Sequence, residues 1–261
     1  MGRLTGKNAV VIGAGSGAGR AASSLFAREG AAVACVENDT AMGEETAALI
    51  RTRGGDAVFV GCDLAHSTAI ESMARSCMAW RDTLHILFNN TVLTEPAEFE
   101  DISLEDWNRQ IAVNLTAPFL CSQKLLPALK AAGGATIIHH GSIDGVLGNP
   151  TLTAYSAAKG GLQPLTHVMG HWLARHDIRV NCINTGLLRN GEDGIPARGT
   201  TLSRNPADEQ RKIRATPLAR AGRFEEAAEA ALYLASDASS YMNGSVITLD
   251  GGRTGLTPGT F

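Results

Sequence analysis

Tyr155 and Lys159 stand four residues apart in T-A-Y-S-A-A-K-G-G, and Ser142 lies thirteen residues before the tyrosine. If Thr153 opens a helix, that spacing stacks phenol and ammonium on one face, one turn apart. A cation held there favours the phenolate, which predicts a tyrosine pKa drawn down from about 10 towards working pH. Ser142 follows the strand-like run Ala135–His140 and is placed to hydrogen-bond the oxygen that the tyrosine protonates or deprotonates. These three groups are equipment for moving a proton on and off an alcohol or ketone oxygen. Y-x-x-x-K is also a common surface pair on helices, so the meaning of the trio depends on the elements that carry it.

Those elements begin with Asn8–Ile12, a short apolar run ending in glycines that reads as a strand buried on both faces. G-A-G-S-G-A-G-R follows, then a segment of helical composition, Ala21–Gly30. Gly13, Gly17 and Gly19, with Ser16 and Ala18 among them, thus follow a strand and open a helix. In that context such a loop offers unpaired N–H groups to a pyrophosphate, although a loop serving only the turn uses the same glycines. Ala32–Val36 is the second buried strand, ending at Glu37. An acidic side chain there, about 20 residues beyond the glycine loop, accepts both ribose hydroxyls of an adenosine and repels a 2′-phosphate. Asn38 supplies no cation to rescue one, so the expected cofactor is NAD rather than NADP.

Thr40–Arg53 reads as a helix and Ala57–Gly61 as a third strand, followed by Cys62, Asp63 and Leu64. Asp63 is placed to accept from an adenine amino group, and as readily to cap the helix Ser67–Trp80. His85–Phe88 is the next strand, ending in Asn89-Asn90. A long helical stretch from Ser103 carries Asn114 and runs to Gly133-Gly134, with a kink expected at Pro118 or Pro127. Beyond the Tyr155 helix come strands at Ile178–Ile183 and Val246–Leu249. Strands alternating with helices throughout predict an α/β fold, a parallel sheet of seven strands covered on both faces, in one domain over residues 1–261.

Composition narrows the rest. Hydrophobic residues make up 44% of the 261 and aromatics only 5%, so the core should be aliphatic. A net charge of −3 with no basic block argues against nucleic acid and acidic membrane surfaces as partners. The N-terminus lacks an apolar signal core, and no apolar run approaches the roughly 18 residues of a membrane span. Five scattered cysteines with no C-x-x-C point to a reducing, cytoplasmic setting.

The chain resembles the short-chain dehydrogenase/reductase family almost end to end. The resemblance is carried by the glycine loop 13–19, Asp63, Asn89-Asn90, V-N-L at 113–115, Ser142, Tyr155-x-x-x-Lys159 and the closing A-S-D-A-S-S-Y-M-N-G-S-V-I-T-L-D-G-G. It implies a Rossmann-like, doubly wound sheet, a homotetramer, and a tetrad of Asn114, Ser142, Tyr155 and Lys159. In that scheme Tyr155 is the general acid/base and Ser142 orients the substrate oxygen. Lys159 lowers the tyrosine pKa and binds the nicotinamide ribose, and Asn114 holds a water on a proton path. The implied cofactor contacts are Gly13, Ser16, Gly17, Ala18, Gly19, Glu37, Asp63, Leu64, Asn90, Tyr155, Lys159 and Leu188.

Four positions depart from the family pattern. Ile12 replaces a threonine, Thr91-Val92 stand for Ala-Gly, and Thr185 stands where proline is usual before Gly186. Each is expected to bear on cofactor affinity or the nicotinamide pocket. His139 and His140, at a strand end, should point to opposite faces, one packed and one towards a crevice. His167 and His171 share a helical face but lack a third ligand, and the resemblance implies that this helix packs against a neighbouring subunit, so the pair is expected at an interface rather than on a metal. Asp144 either touches a polar substrate or caps the next turn. Leu187–Thr216, long, charged and interrupted by Gly and Pro, has the place and composition of a substrate lid.

The expected activity is therefore hydride transfer between NAD(H) and a secondary alcohol or ketone, with Val146, Leu147, Leu152 and Leu188 favouring a hydrophobic or cyclic substrate. Two alternatives stand beside it: an NADPH-linked 3-oxoacyl-thioester reductase, and a nucleotide-holding sensor or scaffold without turnover.

Overall fold

The computed structural model describes residues 2–189 and 206–255. Its strands are β1 (Asn8–Ile12), β2 (Ala32–Glu37), β3 (Ala57–Gly61), β4 (Ile86–Asn89), β5 (Ala135–Ser142), β6 (Ile178–Thr185), β7 (Leu188–Arg189), β8 (Gly222–Arg223) and β9 (Val246–Leu249). Its α-helices are α1 (Gly17–Arg28), α2 (Thr40–Thr52), α3 (Ser67–Trp80), α4 (Leu104–Ile111), α5 (Ala117–Ala131), α6 (Asp144–Leu147), α7 (Thr153–Leu173), α8 (Pro206–Arg214) and α9 (Phe224–Ala235).

Seven strands form one parallel sheet in the order β3-β2-β1-β4-β5-β6-β9, a Rossmann-like doubly wound arrangement. Successive side chains of a strand face opposite layers, and β1 shows the result directly. Ala9 and Val11 pack with α1 and α9 residues such as Phe26 and Leu232, while Val10 and Ile12 pack with Ile70 of α3 and Leu125 of α5. Both layers are almost wholly aliphatic, as the composition requires. The chain leaves β1 towards β3 and then returns to place β4 on the other side of β1. Crossovers diverge at that reversal and leave a crevice at the carboxyl ends of the strands.

The stretch predicted from Ser103 is interrupted ahead of both prolines. Five residues, Ala112–Thr116, form a wide π turn between α4 and α5, with Asn114 at its middle. Pro118 sits in the first turn of α5, where a missing N–H is harmless, and Pro127 lies within α5. The π turn accommodates an extra residue in the helical ladder, and such bulges re-aim side chains.

The two-residue strands β7 and β8, which the sequence pattern does not announce, pair with each other, and Gly222 N–H donates to Leu187 O at 2.9 Å. They close the base of the lid region; most of that predicted lid, residues 190–205, lies outside the described residues. Among the described residues no helix is long and apolar enough to cross a membrane.

Candidate active site

The crevice at the strand ends is a cleft of about 890 Å3 running from Glu37 and Asp63 at one end to Tyr155 and Thr185 at the other. Of the residues predicted to hold a nucleotide, Gly13, Ser16, Gly17, Ala18, Glu37, Asp63, Leu64, Asn90, Tyr155 and Leu188 line it. Gly19, Lys159, Asn114 and Ser142 do not line it directly and stand behind its wall.

The glycine loop is shaped by contact as much as by conformation. Gly13 has φ +72°, and a Cβ there would meet Asn90 O at 2.2 Å. A Cβ on Gly19 would meet Gly13 O at 1.9 Å and Asn90 Nδ2 at 2.6 Å. Only glycine lets α1 start against the loop while Asn90 presses on both. α1 opens into the cleft with no acidic side chain in its first turn, so its N-terminal dipole is left for an anion. Glu37 folds over the loop, accepting from Gly15 N–H at 2.9 Å and from Asn38 N–H at 2.8 Å. Asp63 accepts from Ala65 N–H and turns the chain towards α3. A helix start free of acid, a glycine floor and a carboxylate at the end of β2 fit an adenine dinucleotide in extent and in charge.

At the other end the polar groups are buried. Tyr155, near the start of α7, is 4% exposed, and Lys159 one turn later is fully buried. Burial pushes the Tyr155 phenol above the ordinary tyrosine range; a hydrogen bond with Ser142 opposes this, and the charge of Asp144 adds to it. Lys159 is drawn down to about 7, again by burial. Its Nζ donates to Thr91 O at 2.7 Å and to His140 O at 2.6 Å, and lies 5.6 Å from the Tyr155 ring centre. The expectation that the amine makes the phenol acidic is therefore not met. The stacking on one helix face is present, but desolvation outweighs it and the amine is aimed at carbonyls instead.

Ser142 Oγ also accepts from Asp144 N–H at 3.1 Å, and the Asp144 carboxylate is held by Asn149 Nδ2 at 3.2 Å. Asp144 thus serves the turn into α6. Asn114 is fully buried, and its amide brackets Leu93, donating to Leu93 O at 2.8 Å and accepting from Leu93 N–H at 3.0 Å. It pins the segment after β4 that forms one cleft wall.

The two histidines do point to opposite faces. His139 is buried beside Asn89 and Ser122, whereas His140 lines the cleft, stacked on Phe88 at 6.0 Å. His140 bonds to Asn90 through Nδ1 and to Thr185 through Nε2, the latter at 2.9 Å. Both imidazoles are pushed down to about 3 by burial. Nothing along the sequence places His140 and Thr185 in one network; 45 residues separate them, and only the β5–β6 pairing brings them together. Among the described residues no group of three or more His, Cys, Asp or Glu side chains is arranged to hold a metal ion.

Comparison with known proteins agrees with this geometry. The family profile described as enoyl-(acyl carrier protein) reductase matches residues 13–254. A cis-4-hydroxycyclohexanecarboxylate dehydrogenase of Sinomonas cyclohexanicum is 34% identical over 95% of this chain and 96% of its own. A 3-oxoacyl-[acyl-carrier-protein] reductase of Chlamydia trachomatis serovar D is 33% identical over 96% of this chain and 98% of its own. A crystal structure from Sinorhizobium meliloti 1021, provisionally named a short-chain alcohol dehydrogenase, superposes with a TM-score of 0.89 at 30% identity, covering 97% of this chain and 98% of that one.

Proposed function

The chain belongs to the short-chain dehydrogenase/reductase family, and from that premise we propose that it oxidises a secondary alcohol, or reduces the ketone, using NAD(H). The nicotinamide cofactor of this family accepts or delivers the hydride when bound. The single observation that carries the reading is the buried Ser142–Tyr155 pair with Lys159 one helical turn away, at the end of a dinucleotide-sized cleft.

With its pKa raised by burial the phenol is protonated, so Tyr155 is set to give its proton to a carbonyl oxygen. Alcohol oxidation needs the reverse, a phenolate that takes the hydroxyl proton. Lys159 supplies the means: an ammonium carries three N–H donors, and two go to the carbonyls of Thr91 and His140. The third is left to bind a ribose hydroxyl or to lower the phenol. Ser142 holds the substrate oxygen beside Tyr155. Asn114 keeps its proposed place on the proton path, holding a water that links Lys159 to solvent while its side chain is tied to Leu93.

NAD is favoured over NADP because Glu37 sets a carboxylate beside the first turn of the glycine loop. Leu152, buried, and Val146 and Leu147, exposed, give the substrate side an aliphatic character that suits a hydrophobic or cyclic alcohol. The name of the Sinomonas relative supports that class. The Chlamydia relative supports the second reading, an NADPH-linked reductase of 3-oxoacyl thioesters, which Glu37 disfavours. The family's four-subunit assembly is proposed here through α7, which presents Val168 and Trp172, each 55% exposed, one turn apart. The proposed setting is cytoplasmic, with no nucleic-acid or membrane partner, in keeping with five free, buried cysteines.

The deciding experiment adds NAD and a panel of secondary alcohols and follows NADH absorbance. Turnover with a cyclic or hydrophobic alcohol is expected. Tight NADH binding with no turnover on any alcohol or ketone would instead make the protein a nucleotide-holding sensor.

A further inference from the structure

The polar groups between the two ends of the cleft are joined in one direction. The carbonyl of Gly13 can only accept a hydrogen bond, so the Asn90 side chain must turn its amide nitrogen to it, at 3.1 Å. The amide oxygen of Asn90 then faces His140 Nδ1, which must carry the imidazole proton. Nε2 is left as an acceptor, and the hydroxyl of Thr185 donates to it at 2.9 Å. A proline at position 185 would offer no hydroxyl, so this chain of bonds depends on a residue by which the sequence departs from its family.

We infer that His140 is a positioning residue for the glycine loop: its ring braces Asn90, and Asn90 braces Gly13 and packs against Gly19, so a group at the Tyr155 end sets the floor beneath a pyrophosphate. The inference rests on the proposed nucleotide cleft. Three observations converge on it. His140 is 6% exposed and wedged between Phe88 and the cleft wall, so its ring has little freedom. The Asn90 amide lies where any Cβ on Gly19 would collide with it, so a shift of Asn90 is a shift of the loop. The imidazole is held neutral by burial, which suits one donor and one acceptor rather than two donors. Its backbone carbonyl separately anchors Lys159, and that bond survives any change of the ring.

The test uses the full chain and ADP, which carries the adenosine and diphosphate but nothing to reach Tyr155. Binding by calorimetry should weaken about tenfold in His140→Leu. It should return to within about threefold of wild type in His140→Asn, whose side-chain N–H stands in for Nδ1–H. Tyr241→Phe, at an exposed position outside the cleft, should bind ADP as wild type does. Nitrogen-15 spectra of labelled histidine should show His140 neutral with its proton on Nδ1. Unchanged ADP affinity in His140→Leu, or a proton found on Nε2, would overturn the inference. A wild-type protein that binds neither ADP nor NADH would overturn the nucleotide reading itself, and the spectra alone would then decide the direction of the chain. Were His140→Leu to be insoluble, the affinity of His140→Asn and the spectra would still uphold or overturn the inference.

Discussion

At the Glu37 end of the cleft Glu37 and Asp63 are half-buried and accept from the backbone N–H groups of Gly15, Asn38 and Ala65. At the Tyr155 end the ionisable groups Tyr155, Lys159 and His140 are buried, and burial moves each of them towards its neutral form. One end is a fixed mould of charge and amides, suited to selecting a ligand. The other is a desolvated pocket in which a modest change of neighbours moves a proton, because a charge is worth several times more there than in water. Under the proposed function, selection and chemistry are separated along a single groove, and changes at the two ends should have separable effects.

The strongest division is expected from Tyr155→Phe. It removes the proton donor and leaves the mould intact, so turnover should fall by about 10²–10⁴-fold while NADH affinity, followed by fluorescence, stays within a few-fold of wild type. Parallel losses of both would erase the distinction between the ends. The converse variant, Glu37→Ser with Asn38→Arg, should move the ratio of kcat/KM for NAD over NADP by about tenfold or more towards NADP. Its kcat with the preferred cofactor should be retained. Because Glu37 also holds Gly15 N–H, part of the NAD loss will reflect a looser loop.

A subtler probe reads the buried amine through stability. Lys159 titrates at about 7 in the folded protein against an ordinary value of 10.5. Between those values the unfolded chain binds more protons, so stability rises as pH increases from about 7 towards 10.5. From pH 7 to 8.5 the cofactor-free protein should gain on the order of 1 kcal/mol in urea unfolding, and Lys159→Met should lose that gain. Above pH 8.5 the buried thiols, whose pKa values burial raises, begin to act in the opposite sense, which sets the upper limit of the window. A flat wild-type profile would mean the amine is better solvated than its surroundings indicate. The mildest effect is expected from Trp172→Glu on the exposed face of α7, far from both ends. Light scattering should show smaller assemblies, with the cleft's cofactor preference unaltered.

How much of this is legible in the sequence follows from what each feature depends on. Strands β1, β3 and β9 stand at their predicted bounds because each is a short apolar run bracketed by turn residues, a purely local signal. The glycine loop, Glu37 and Asp63 can be picked out because each sits at a strand's carboxyl end, where a parallel sheet puts its crevice. The π turn at Ala112–Thr116 goes unannounced because proline is a visible breaker while a π turn has no residue signature; Asn114 stands out only as part of a family motif. The pKa of Tyr155 moves opposite to expectation because spacing reveals neighbours but not the loss of water around them. The bonds from Thr185 to Gly13 cross four strands, and no pattern along the chain announces a contact across sheet pairings. Glu37's grip on Gly15 escapes notice for a plainer reason: a long side chain can fold back on its own loop.

The two-residue pairing of β7 with β8 has a practical meaning for redesign. The chain departs from the sheet at Gly186 and is cinched again at Gly222, with Gly222 N–H tied to Leu187 O, so the excursion between is fastened at a neck. A segment moored in that way can be exchanged by cutting at Arg189 and Gly222 and splicing in the equivalent stretch of a relative. The proton-handling groups lie on β5 and α7, outside the cut. Under the proposed function, chimaeras of this kind test whether the choice of alcohol follows the exchanged segment while the groups on β5 and α7 stay as they are.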